Sequence, residues 1–460
     1  MTGLQTLRFI LLTGIAVSYG WGMRGLLIGG EKGAMLPGAL LGLMLAKCSG
    51  IPVLSDHAVL FSAVGAMGTA FGGFEPYAHT ADFMLHRNAP YYNPSLAYKG
   101  ILLKGANGFG LIGVFLGIGF SAMTGNIYKW YDFVLFFALE PFIQALGVEL
   151  FNKPFDPQNG VFPKRYFSRI SREEWGGNSL MLVVLLLWTL VRRDWFAFLF
   201  GVVGMVTGSV GWLAAYKLDD YTAHRKKNGK YPLGKLQEMG VIDNWKIMEF
   251  GYGMIAGLCF AGYVCLQRDH LLSLAAQMEN GIWNPLGRYG DMAAWIAFAL
   301  ILLTAVQYIF VSRAQKQGKK PDMHIFELLE RPAYFVIPFA LVMLGSETMA
   351  ELICFPVLMW VAVEENLFGR LEDMPQKKWL KPVYLVLFVG AMAAAVLLHG
   401  TFPLWAKALL YTVFYLLCDL PYVLFHPKTK TERRRMLRGV STVYGCFAVQ
   451  SAILIAILCK

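Results

Sequence analysis

Long apolar runs separated by short charged or turn-forming segments dominate the chain, and they repeat from one end to the other. A run of about twenty apolar residues is the length a helix needs to cross a bilayer. Reading such runs between charged or turn residues predicts spans at 5–22, 33–47, 57–74, 100–122, 130–150, 176–191, 195–216, 246–266, 291–312, 332–345, 347–363, 381–399, 403–425 and 439–459. The expected fold class is an all-α integral membrane protein with about fourteen transmembrane helices. Residues 9–17 have the look of a signal-peptide core, but Arg8 is the only preceding positive charge and the cleavage pattern is poor. They are therefore read as part of a first span.

Composition agrees with the pattern. The 460 residues are 56% hydrophobic and 15% charged, against about a quarter charged in soluble domains. The 48 glycines suit close helix approach within a membrane. The formal charge of +11 arises from Lys and Arg in the connections, at 152–174, 217–245, 313–331, 364–380 and 426–438. Two predicted spans separate each of these segments from the next, so all five fall on one side, the cytoplasm. Arg24, Lys32, Arg87 and Lys99 follow on the same side, and Arg192-Arg193 breaks the rule. The charge is thus explained by orientation, and nucleic acid is excluded as a partner. Membrane lipids, including anionic headgroups at Arg433-Arg434-Arg435, are the expected surroundings. The seven cysteines form no C-x-x-C pair and read as apolar thiols. No N-x-S/T acceptor occurs, which favours a bacterial source and hence the inner (plasma) membrane.

Self-comparison shows an internal repeat. Glu31-Lys32-Gly33-Ala34 resembles Glu174-Trp175-Gly176-Gly177, and Gly108-Phe109-Gly110-Leu111-Ile112 resembles Gly251-Tyr252-Gly253-Met254-Ile255, both at an offset of 143 residues. Gly65 and Gly72 match Gly204 and Gly211, and Glu75-Pro76-Tyr77-Ala78-His79 matches Asp220-Tyr221-Thr222-Ala223-His224, at similar offsets. The predicted organisation is a leading helix at 1–23, a four-helix unit at 24–150, a second at 167–312, a degenerate third at 327–425, and a trailing helix at 439–460. An even helix count per unit makes the repeats parallel.

Three groups of residues could carry chemistry. The stretch Gly20-Trp21-Gly22-Met23-Arg24-Gly25 and Gly29-Gly30-Glu31-Lys32-Gly33 precedes a short span, as Gly176-Gly177 does in the second unit. Short, glycine-interrupted spans at matching repeat positions are pointers to a transporter site, because a broken helix frees backbone donors. The opposing reading is a cytoplasmic loop with Glu31 as a helix-start charge. Second, Glu75, His79, Asp82 and His86 are spaced 4, 3 and 4 apart and share one helical face, fit for a proton relay or a solvated surface. A single helix cannot converge four ligands tetrahedrally, so no metal and no cofactor is expected. Third, Lys104, Glu140, Glu249, Glu347, Glu351, His399, Lys407 and Asp419 lie in or near apolar runs. Charges at such depth pair or line a wet path, and Lys104 is the expected partner of Glu140 or of an anion.

Among these, Arg24, Glu31, Lys32, Lys104, Glu140 and Asp419 are the candidate substrate-binding residues. Glu75, His79, Asp82, His86 and Glu249 are the candidate polar relay. The function they favour is secondary transport of a small polar or anionic solute coupled to H⁺ or Na⁺, since no ATP motif is present. The competing reading is a membrane-embedded transferase acting on a lipid or lipid-linked glycan at the cytoplasmic face. A non-catalytic scaffold is the third.

Overall fold

The computed structural model describes residues 2–27, 30–72, 77–156, 158–168, 173–224, 232, 234–238, 244–279, 281–316, 330, 332–364, 379–397 and 399–425. Among the described residues there is no strand, and the sole extended pairing is one isolated bridge, Asp156 to Val161. The helices are α1 (Gly3–Leu27), α2 (Gly30–Lys47), α3 (Pro52–Asp56), α4 (Ala58–Gly72), α5 (Tyr77–Leu85), α6 (Pro94–Ala122), α7 (Trp130–Phe151), α8 (Trp175–Val191) and α9 (Trp195–His224). They continue as α10 (Lys235–Glu238), α11 (Asn244–Leu266), α12 (Arg268–Gln277), α13 (Arg288–Lys316), α14 (Ile337–Met343), α15 (Glu347–Leu352), α16 (Leu358–Glu364), α17 (Leu380–Leu397) and α18 (Leu404–Phe425). Wide π-turns precede α14 at Pro332–Val336 and join α15 to α16 at Ile353–Val357.

Six described helices are long and apolar enough to cross a membrane, and a seventh span results if α4 and α5, bent 57° from each other, count as one. The first thirteen predicted segments fall on helices; the fourteenth, 439–459, lies outside the described residues. Outward faces are apolar, as lipid contact requires. On α7, Val134, Leu135, Leu139, Phe142, Leu146 and Leu150 point out. Its opposite stripe, Phe133, Phe136, Phe137, Glu140, Gln144, Gly147 and Val148, is buried.

The centre of the bundle is α6, buried along most of its span and packed lengthwise on α9. Glycine makes that approach possible. A Cβ on Gly105 would lie 2.3 Å from the Gly208 carbonyl oxygen, and one on Gly208 would lie 2.0 Å from the Gly105 carbonyl oxygen. Small residues at such crossings let dispersion contacts form where no hydrophobic effect operates between helices.

Polar ties gather the connections at two opposite ends. At one end, Arg268 donates to the Ser49 carbonyl (2.6 Å), Asn126 to Gln277 (2.6 Å), and the Trp283 amide to the Met123 carbonyl (2.9 Å). Asp132 pairs with Arg192, and Glu347 with His57. Arg192, the exception to the charge rule, thus sits just past the end of α8, where the helix dipole and a carboxylate both favour it. At the other end, Lys32 pairs with Glu330 (2.8 Å) and Arg87 with Asp220 (2.7 Å).

The first span runs past its predicted end at residue 22. Helix α1 runs unbroken through Gly20, Gly22 and Gly25, and α2 begins at Gly30. Gly20 serves contact instead: a Cβ there would meet the Pro37 backbone at 2.6 Å. The bend lies later, between α4 and α5.

Candidate functional site

Arg24 stands in the last turn of α1 and is 4% exposed. The carbonyl end of a helix favours a cation. Its guanidinium lies over Trp21 (4.9 Å) and Tyr77 (5.3 Å), and it donates to the Tyr77 hydroxyl at 2.9 Å. Tyr77 is the first residue of α5, beyond the bend, so the bent span and the end of α1 meet at this guanidinium.

An aromatic wall surrounds the pair. Trp21 packs on Tyr252 (4.5 Å between rings) and Phe109 (6.1 Å). Tyr77 packs on Trp212 (4.9 Å), Tyr216 (6.4 Å) and Trp245 (6.4 Å). These rings come from α1, α5, α6, α9 and α11, so no segment builds the site alone. Glu249, buried on α11, accepts from the Trp245 indole at 3.1 Å and from Lys246. Lys246 also donates to the Gly22 carbonyl at 3.1 Å, which fastens the start of α11 to the end of α1. The hydroxyls of Tyr216 and Tyr252 are fully buried; Tyr252 faces the Trp212 indole, and the Tyr216 hydroxyl has no hydrogen-bond partner among the described residues. A buried hydroxyl left unpaired costs about 1–3 kcal/mol, so a bound polar group would relieve that cost here.

Lys104 lies nearby on α6 and is completely buried. Its ammonium donates to the Thr80 hydroxyl and to the Glu173 carboxylate, each at 2.8 Å. Glu173 is 1% exposed at its side chain, and its second oxygen accepts from the Phe167 amide at 2.7 Å. The partner of Lys104 is therefore Glu173, at the end of a basic connection, and not Glu140. One turn further along α6, Asn107 donates to the Trp175 carbonyl (3.1 Å) and exchanges hydrogen bonds with Ser179. Gln144 of α7 donates to Asn178 at 3.3 Å, and its own carbonyl oxygen finds no partner among the described residues. A continuous set of buried polar groups thus leads from Lys104 into the α6–α7–α8 interface.

The other candidates are placed as follows. Lys32 stays at the inner rim, paired with Glu330 and lying 4.3 Å from the Tyr334 ring centroid. Glu140 is buried on the inward stripe of α7. His79 and His86 each hold a ring nitrogen 3.7 Å from an Asp82 oxygen, and His86 also meets the Tyr91 hydroxyl at 2.8 Å. Opposite them Asp220 accepts from Arg87 and approaches His224 at 3.0 Å. An open cleft of about 450 Å³ lies there, lined by Leu85, His86, Arg87, Asn88, Ala89 and His224. No three His, Cys, Asp or Glu side chains among the described residues converge as metal ligands. Glu75 lies outside the described residues, as do the side chains of Glu31 and Asp419.

Sequence reasoning missed Tyr77, Tyr216, Tyr252 and Glu173. The Tyr77-containing repeat match and the Gly-Tyr-Gly at 251–253 were the available signals.

Outward apolar faces, inward glycine seams and buried ions together define an α-helical integral membrane protein. No protein-family model, no curated protein and no solved structure matches the chain.

Proposed function

We propose that the protein is a secondary transporter of a small polar, anionic solute, coupled to H⁺ or Na⁺, in a bacterial inner membrane. The observation that carries this reading is the Arg24 site. There a buried guanidinium, the bend between α4 and α5, and an unpartnered buried tyrosine hydroxyl, that of Tyr216, occur together. Arg24 and the Tyr77 hydroxyl would meet the anionic group. Tyr216 and Tyr252 would meet a second polar group, and the rings would cover its apolar surface. Glu249 and Glu140 are buried carboxylates able to carry a coupling cation.

Architecture of about fourteen helices in parallel four-helix units belongs to the same proposal. In its favour, two packing relations recur. The helix before each unit packs on the unit's first helix, as α1 on α2, α7 on α8, and α13 on α14. The second helix packs on the third, as α4 on α6, α9 on α11, and α16 on α17. Against strict symmetry, α2 runs closely along α4 whereas α8 meets α9 only briefly.

Purified protein in liposomes tests the function. Uptake of organic anions under an imposed H⁺ or Na⁺ gradient is expected, with Arg24→Gln lowering it at least tenfold. Tyr216→Phe is expected to weaken apparent affinity several-fold without loss of folded protein. Absence of uptake under either gradient, or full activity in Arg24→Gln, would refute the reading. The open cleft with His86, Arg87, Asp220 and His224 favours one alternative, a transferase working on a lipid-linked substrate at the cytoplasmic face. Group transfer abolished by His86→Ala and His224→Ala would support that alternative.

A further inference from the structure

We infer that Lys104 and Thr80 form a second carboxylate-binding position, which the chain's own Glu173 occupies and which an anionic solute reaches by displacing Glu173. The inference rests on the transport reading for its role, though not for its test.

A fully buried ion pair is a poor source of stability. Desolvating both charges costs several kcal/mol, and the mutual attraction roughly repays it. Such a pair therefore calls for a use. Lys104 has two donor contacts, with a neutral hydroxyl and with a carboxylate. The carboxylate comes from a residue ahead of α8, outside any helix, and is steadied by the Phe167 amide. A carboxylate so placed has the chemistry and the position of a bound ligand.

Geometry relates this position to the first. Tyr77 and Thr80 are three residues apart on α5, one helical turn. Arg24 binds the hydroxyl of the first and Lys104 the hydroxyl of the second. The short helix beyond the bend is thus held by two buried cations, and each presents a donor to an anion moving along it. Beyond Lys104 the polar groups Asn107, Ser179, Asn178 and Gln144 continue inward.

Formate, the smallest carboxylate, is the probe. In Glu173→Ala the ammonium loses its partner, and sodium formate is expected to raise the thermal unfolding midpoint of the detergent-solubilised protein by several degrees, saturably. Sodium gluconate at equal ionic strength is too large to enter and should not. Wild-type protein should respond too, but only at higher formate, where the probe competes with Glu173, and the double variant Lys104→Met/Glu173→Ala should be indifferent to formate. Glu173→Gln keeps the side chain's volume and is the second variant, with a smaller formate response expected. Equal midpoints in formate and gluconate for both single variants would overturn the inference. So would a formate response that persists without Lys104. Because no transport is measured, a silent uptake assay counts against the transporter reading alone, and a formate-indifferent Glu173→Ala against this position alone.

Discussion

The two ends of the bundle both use ion pairs, but they use them differently. At one end the pairs join turns. Glu347 and Glu351, one turn apart on α15, hold His57 of one turn and His399 of another, the latter at 3.2 Å. Glu351 also accepts from Lys407 at 2.8 Å, which binds α18 to α15. The Glu347 side chain is 58% exposed. At the other end, beside the partly exposed pairs Lys32–Glu330 and Arg87–Asp220, some ions are fully buried: Lys104 and Glu173 are 0% and 1% exposed, and Arg24 lies beneath aromatic rings. Pairs at wet turns fix which connections meet, and each is worth little alone because water screens it. Pairs in a dry interior cannot be broken singly without stranding a charge, so they concentrate energy at one place.

Single replacements should expose this contrast, beginning at the dry end. Lys104→Met strands the Glu173 carboxylate and should lower stability by about 3–5 kcal/mol, read as an early unfolding midpoint in detergent. Lys104→Met with Glu173→Met should recover most of that loss, since two apolar side chains of similar volume replace both ions. A double variant as unstable as the single one would show that the pair organises the surrounding fold. Glu351→Gln removes the counter-charge of a nearly buried Lys407 and should cost about 1–3 kcal/mol, with the α17–α18 hairpin showing faster amide exchange. Glu347→Gln, at an exposed carboxylate, should cost less than about 1 kcal/mol; an effect equal to that of Lys104→Met would erase the distinction between the ends.

The smallest effect is a titration. Hydrogen bonds from the Asn159 side chain and amide hold the Asp156 carboxyl below the usual carboxylate range. A depressed carboxyl contributes its stability above its ordinary pKa and loses it as pH falls through the lowered value. The turn closed by the Asp156–Val161 bridge should therefore keep amide protection at neutral pH and lose it in acid. Asp156→Asn should remove that pH dependence without altering the bundle.

Much of the helix map was legible because a bilayer leaves few options: apolar runs must become helices. The apolar character of α7 could be read from the sequence, though not which of its faces is buried. The partner of Lys104 could not. Its contact with Glu173 spans 69 residues of chain, and nothing local in either segment marks it. The packing role of Gly20 was hidden for a related reason. Glycine breaks a helix in isolation, but here a close neighbour, Pro37, gives Gly20 a packing role inside a continuous one. His79 and His86 each approach Asp82 at 3.7 Å through local spacing, whereas the group opposing them on α9 comes from a distant part of the chain.

Sequence alone determined the solvent this chain is built for, the class of its elements and which connections carry positive charge. These follow from transfer free energies and helical period, which are properties of short segments. Tertiary structure decided where the helix bend lies, which carboxylate meets Lys104 and which rings enclose Arg24. Those outcomes depend on close contacts between remote helices, and glycine seams such as that of Gly105 with Gly208 set them to within a few ångströms.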